Sequence, residues 1–129
     1  MAAVGAIHVA WGLGSSFPFA DRETLADIVV GNDVVPGGRE SFAVAALLGA
    51  AAALVADALP APRRLRNTGV VAVAAVLTTR AAFGFTGNTQ RLVPGSDSPR
   101  FVAADRRYFS PLCAALALGT LASTGVRRR

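Results

Sequence analysis

The chain has no lysine, and cysteine, histidine, methionine, tryptophan and tyrosine occur once each among its 129 residues. A lone thiol, Cys113, forms no internal disulfide framework and no metal-spaced pair, and a lone imidazole, His8, makes no histidine cluster. No glycine-rich phosphate loop is present either, so metal and nucleotide chemistry are not expected and no cofactor is implied. Charge is scarce too: 16% of residues are charged against 53% apolar, and mean hydropathy is positive at +0.47. The charges that remain lie almost wholly between apolar stretches.

Four such stretches stand out, at residues 1–19, 41–59, 68–85 and 109–126. A spanning helix needs ~20 mostly apolar residues, so each is near the lower limit and predicts an upright helix or one completed by its flanks. The second stretch carries no charge until Asp57. A helix of a soluble bundle would instead show polar residues on one face every third or fourth position. The sequence therefore predicts an all-α fold, a four-helix transmembrane bundle forming one domain over residues 1–129, in the cell membrane with the lipid bilayer as its partner. A cleaved signal peptide in place of the first span fits less well, because residues 1–19 lack a basic start and His8 and Trp11 interrupt the apolar run. Glycines and alanines along the stretches allow helices to approach closely, since packing drives helix association in lipid. Cys113, inside the fourth stretch, reads as a packing residue.

A net charge of +5 raises the question of nucleic acid, but the arginines are placed as topology marks. Arg63, Arg64 and Arg66 crowd one short turn, and Arg127, Arg128 and Arg129 end the chain. Dense basic turns stay cytoplasmic, which puts both termini inside. The opposite loops hold as many arginines (Arg22, Arg39, Arg91, Arg100, Arg106 and Arg107), spread over longer segments with more acids. No nucleic-acid partner is expected, and the terminal arginines also suit anionic lipid headgroups. Within residues 20–40, Leu25, Ile28 and Val29 fit one helical turn capped by Thr24 and resting on the headgroups, or an ordinary surface loop. Residues 86–107 read as a longer loop on the same side, with turns at Pro94-Gly95 and Ser98-Pro99.

The informative residues are the polar ones at membrane depth. Burying an arginine in the hydrocarbon core costs ~2.5–3.5 kcal/mol or more, so Arg80 needs a partner there. Asp105 and Glu40 are the acids at matching depth, and Asp105 is the favoured one. His8, Trp11 and Ser15 share one helical face, as do Arg80, Phe83, Gly84 and Gly87. Asp105 and Tyr108 stand a turn apart at the mouth of the fourth span, where Pro111 fixes the start of the helix or kinks it. Together these residues predict a polar pocket toward the non-cytoplasmic side. The plain alternatives are a helix lock between Arg80 and Asp105 with His8 bonded to a backbone carbonyl, and an Arg80 that snorkels to the headgroups.

Three runs of sequence also carry a resemblance. His8-x-x-Trp11-Gly12-x-Gly14, Leu77-x-x-Arg80-Ala81-x-x-Gly84 and Phe101-x-x-x-Asp105-x-x-Tyr108-x-Ser110-Pro111-Leu112-Cys113 together resemble an uncharacterised family of short bacterial four-span membrane proteins, a domain of unknown function. The resemblance covers nearly the whole chain, and the last run is its most specific part. It implies fold and membrane location and supplies no settled activity.

Function is therefore argued from the pocket. The first expectation is an acid/base enzyme of cyclase, isomerase or epoxide-opening type acting on a lipophilic small molecule that enters from the bilayer. Asp105, His8 and Arg80 are its candidate catalytic residues, the first two as acid or base and Arg80 as the holder of negative charge. Trp11, Phe83 and Tyr108 are candidate substrate-binding walls, with Glu40 beside them. The second is a non-catalytic accessory or ligand-binding membrane protein in which the polar cluster only fixes helix packing. A third, a transporter component, requires a homo-oligomer, because four short spans with one buried arginine form a meagre pathway.

Overall fold

The computed structural model describes residues 1–35 and 37–126, with side chains described through residue 123; the arginine run 127–129 lies outside them. Among the described residues the chain is all-α, without a strand. The first helix, α1, runs Ala2–Gly12 and packs along α3, Gly38–Ala56. The fourth, α4, spans Arg63–Thr86 and packs along α6, Ser110–Val126. Between them come α2, Arg22–Leu25, which continues as a π-helical turn over Ala26–Val30, and α5, Pro99–Ala104, which runs through a second π-helical turn, Asp105–Phe109, into α6.

The boundaries differ from the expected spans for identifiable reasons. The first stretch, expected over residues 1–19, is helical only to Gly12. Gly14 sits at φ +98, and Gly14 and Ser15 donate back to Trp11 and Ala10, closing the helix. Eleven residues rise about 16 Å, roughly half a bilayer core. Helix α4 starts five residues before the expected 68, directly after Pro62, so Arg63, Arg64 and Arg66 lie within its first turn rather than in a turn before it. Asp57, in the left-handed region at φ 63, ends α3 and pairs with Arg66.

The segment expected as a loop over residues 86–107 is largely helical, with a 3₁₀ turn at Thr89–Arg91 and then α5. Pro111 offers no N–H to the carbonyl one turn back, and the chain meets that gap with a π-helical turn, Ser110 N–H donating to Asp105 O. The short helix expected near Leu25 is present, but Asp21 caps it, its carboxylate accepting from the Thr24 N–H at 2.7 Å. Thr24 is the residue held, one turn in.

Close approaches depend on missing side chains. A methyl on Gly12 would stand 2.8 Å from the Phe42 ring, and one on Gly69 2.6 Å from Leu54. The two segments at the Gly12 end of α1 are tied to each other: Gly31 O accepts from the Asp97 and Ser98 N–H groups, and Asp27 accepts from Ser98 Oγ and from Arg100. Together they roof the bundle at that end.

Helices α3 and α4 are long and apolar enough to cross a membrane. They differ from soluble core helices in what they cover, since only 6% of the apolar window of α3 and 22% of that of α4 are buried. Leu47 and Val76 stand out at 71% and 68% exposed.

Candidate functional site

Arg80, on α4, meets Asp105 in the π-helical turn that leads into α6. The guanidinium reaches the carboxylate as a fork, Nη2 to Oδ1 at 3.0 Å and Nη1 to Oδ2 at 3.1 Å. Thr89 Oγ1 donates to Oδ2, and Ser110 Oγ donates to Oδ1 at 3.0 Å. Asp105 is 1% exposed, and its two oxygens accept from three side chains. A buried carboxylate is tolerable only with such partners. Gly84, one turn beyond Arg80, makes room for them: a methyl there would lie 1.8 Å from Ser110 Oγ and 2.8 Å from Asp105 Oδ1.

Arg80 also lines a cavity of about 250 Å³ under the roof. Helix α1 contributes His8 and Trp11, and α3 contributes Glu40, Ser41 and Val44. The roof adds Val29, Val30, Val93, Ser96 and Phe101, and Thr89 joins the cavity to the Asp105 cluster.

His8 Nδ1 lies 2.8 Å from Val4 O. A carbonyl only accepts, so Nδ1 carries the proton and, in the neutral ring, Nε2 keeps its lone pair as an acceptor. The imidazole stacks at a tilt against Trp11, with ring centres 4.7 Å apart. Trp11 Nε1 is fixed by Phe17 O at 2.7 Å, so the indole is a pinned wall and not a free donor.

The residues singled out from the sequence thus divide into three groups. His8, Trp11, Glu40 and Arg80 come together around the cavity. Asp105 lies behind it, engaged with Arg80; Glu40 makes no ion pair with Arg80. Phe83 and Tyr108 do not line it: Phe83 is half-buried elsewhere on α4, and Tyr108 is 59% exposed beneath the Arg107 guanidinium, 5.5 Å from its ring centre. The π-helical turn that contains both Asp105 and Tyr108 aims the acid inward and leaves the phenol outside. Sequence reasoning missed Thr89, Ser41 and Ser96. Ser110 alone had a signal, its place in the run from Asp105 to Cys113.

Helical pairs with an outward apolar surface and an inward, fully partnered Arg–Asp fork define a class of helical protein with two membrane-suited helices and a polar interior. The chain belongs to the DUF3995 family, described as a protein of unknown function, whose family model matches residues 1–120. No curated protein and no solved structure matches the chain.

Proposed function

We propose that the protein crosses the membrane four times, the short helix α1 only with its flanking residues completing the crossing, with both termini cytoplasmic, and holds a lipophilic small molecule in the cavity between His8, Trp11 and Arg80. The crossing is supported by apolar helices that face outward: besides α3 and α4, α6 exposes Leu118 at 69% and α1 is flanked by Leu13 at 76%. The orientation is supported by the arginines stacked at the start of α4, which stay cytoplasmic more readily than scattered ones. The observation that carries the functional reading is the cavity itself, apolar on most sides with a guanidinium, an imidazole and a carboxylate converging on it.

In an acid/base reading, His8 is the working group. Its Nε2 faces no protein donor among the described residues, and a cyclisation or double-bond shift needs only a proton taken from one carbon and returned to another. Asp105 has no such freedom. Its engagement with Arg80, Thr89 and Ser110 favours the second reading for that residue, a lock that fixes helix packing, and makes Arg80 a positioned cavity wall.

Purification of the full chain in native lipid discs, followed by organic extraction and mass spectrometry, tests this. A lipophilic compound retained near stoichiometry by the wild type and lost from Val44→Phe, which fills the cavity, is the expected result. Equal retention by both proteins overturns the cavity reading. Conversion of that compound should disappear in His8→Gln with binding kept; unchanged conversion removes His8 from catalysis.

A further inference from the structure

Among the described residues, six polar ones are buried: Ser41, Thr89, Ser96, Asp105, Ser110 and Thr120. Four are accounted for within the protein. Thr89, Asp105 and Ser110 satisfy one another in the cluster, and Thr120 Oγ1 donates to Leu116 O at 2.7 Å. Ser41 and Ser96, at 4% and 2% exposed, are the exceptions, since their hydroxyls have no hydrogen-bond partner among the described residues. Serine and threonine hydroxyls within a helix ordinarily bond back to the preceding turn, as Thr78, Thr86 and Thr120 do here, and Ser41 in the first turn of α3 does not. Among the described residues no polar side-chain atom is sealed off without a partner, so both hydroxyls open onto space, and both residues line the same cavity.

A buried hydroxyl left unmatched in an otherwise satisfied interior marks a place where something else completes the bond. Each of these two can donate to an oxygen. His8 Nε2, on another wall, accepts. The charge balance selects the kind of oxygen: Arg80 is already neutralised by Asp105, and Glu40 adds a carboxylate to the lining, so a second anion would meet no free positive partner. We infer that the cavity recognises a neutral oxygenated lipophile, with Ser41 and Ser96 donating to its carbonyl or hydroxyl oxygen and Trp11 and the valines holding its hydrocarbon body. This rests on the cavity reading above and adds the chemical class of its occupant.

The chain's single tryptophan lines the cavity, so ligand entry can be read from Trp11 fluorescence in the full chain reconstituted in lipid discs. Three probes share one carbon skeleton and differ in their oxygen: carvone, a ketone; limonene, the hydrocarbon; and perillic acid, the carboxylate. Carvone is titrated directly as a quencher, and the others are measured by displacement. Saturable quenching by carvone is expected, with limonene and perillic acid each about tenfold weaker or more, the scale of one to two neutral hydrogen bonds. The Ser41→Ala/Ser96→Ala double variant, which removes only the two hydroxyl oxygens, should shrink the carvone-to-limonene ratio to about threefold or less. Val44→Phe, or Val93→Phe if the first does not fold, should remove the saturable phase altogether. If wild type shows no saturable phase, the cavity reading fails and this inference falls with it. If carvone saturates but limonene displaces it equally well, or the double serine variant leaves the ratio unchanged, the oxygen recognition alone is overturned and the cavity stands.

Discussion

Gly84 is the residue on which the Arg80–Asp105 cluster turns. Any side chain there collides with Ser110 Oγ, Asp105 Oδ1 and Arg80 Nη1 at once. Gly84→Ala is expected to destabilise the protein by about 1–3 kcal/mol or more, measured by denaturant titration in detergent, because overpacking a filled site forces its neighbours off their positions. Ser110→Ala removes the nearest of the three collisions, so the double variant should lose less than the two single losses added together. Gly49→Ala and Gly119→Ala are the controls: nothing lies within 4 Å of a methyl at either position, and both should leave stability unchanged or raise it slightly. For the ion pair, Asp105→Ala leaves a half-buried guanidinium without its carboxylate, and Thr89 and Ser110 without their acceptor, and should cost up to about 3–5 kcal/mol, whereas Arg80→Met/Asp105→Leu should recover much of that loss. A double variant as unstable as Asp105→Ala would mean that the pair does more than satisfy its own charges.

The short helix α2 depends on one exposed carboxylate. Thr24 beside Asp21, first through its backbone N–H and then through its side-chain hydroxyl, holds that carboxyl below its ordinary range. A carboxyl lowered in the folded state favours folding above its unfolded pKa and loses that contribution as pH falls through the lowered value. The Thr24 amide should therefore stay protected from hydrogen exchange into mildly acidic solution and open only under stronger acid, while Asp21→Asn should show no such step. A Thr24 exchange rate independent of pH in the wild type, beyond the intrinsic chemical rate, would remove the cap from this account. At the far end of the same roof segment, Gly31 holds φ +88 with the Phe101 ring 2.8 Å from where a methyl would be, so Gly31→Ala should loosen the tie between the two segments. The readout is faster exchange at the Asp97 and Ser98 amides, which bond to Gly31 O.

For the molecule as a whole, the crossing and its direction are open to a labelling experiment. In a Cys113→Ser background, a thiol at Asp33→Cys lies beyond one end of α3 and one at Ala58→Cys beyond the other. A membrane-impermeant maleimide should reach the first in intact cells and the second only after permeabilisation. The reverse pattern overturns the orientation, and labelling of both from outside overturns the crossing by α3.

The sequence alone carried the helical class, the apolar stretches and the pairing of Arg80 with Asp105, because these follow from periodicity, length and the cost of an unpartnered charge in an apolar interior. Helix ends were legible where a glycine or proline forced them only in hindsight: the stop at Gly12 needs the left-handed turn at Gly14, and the apolar run through Phe19 masked it. What the tertiary structure decided is which polar groups face one space. Ser41 and Ser96 lie 55 positions apart in the chain, and no local pattern marks a hydroxyl that lacks a partner. Tyr108 moved outward because a π-helical turn adds a residue to the helical circuit, which rotates every face assignment made on a regular period. Periodicity fixes a helix's own faces; only the packing of helices against one another settles what those faces meet.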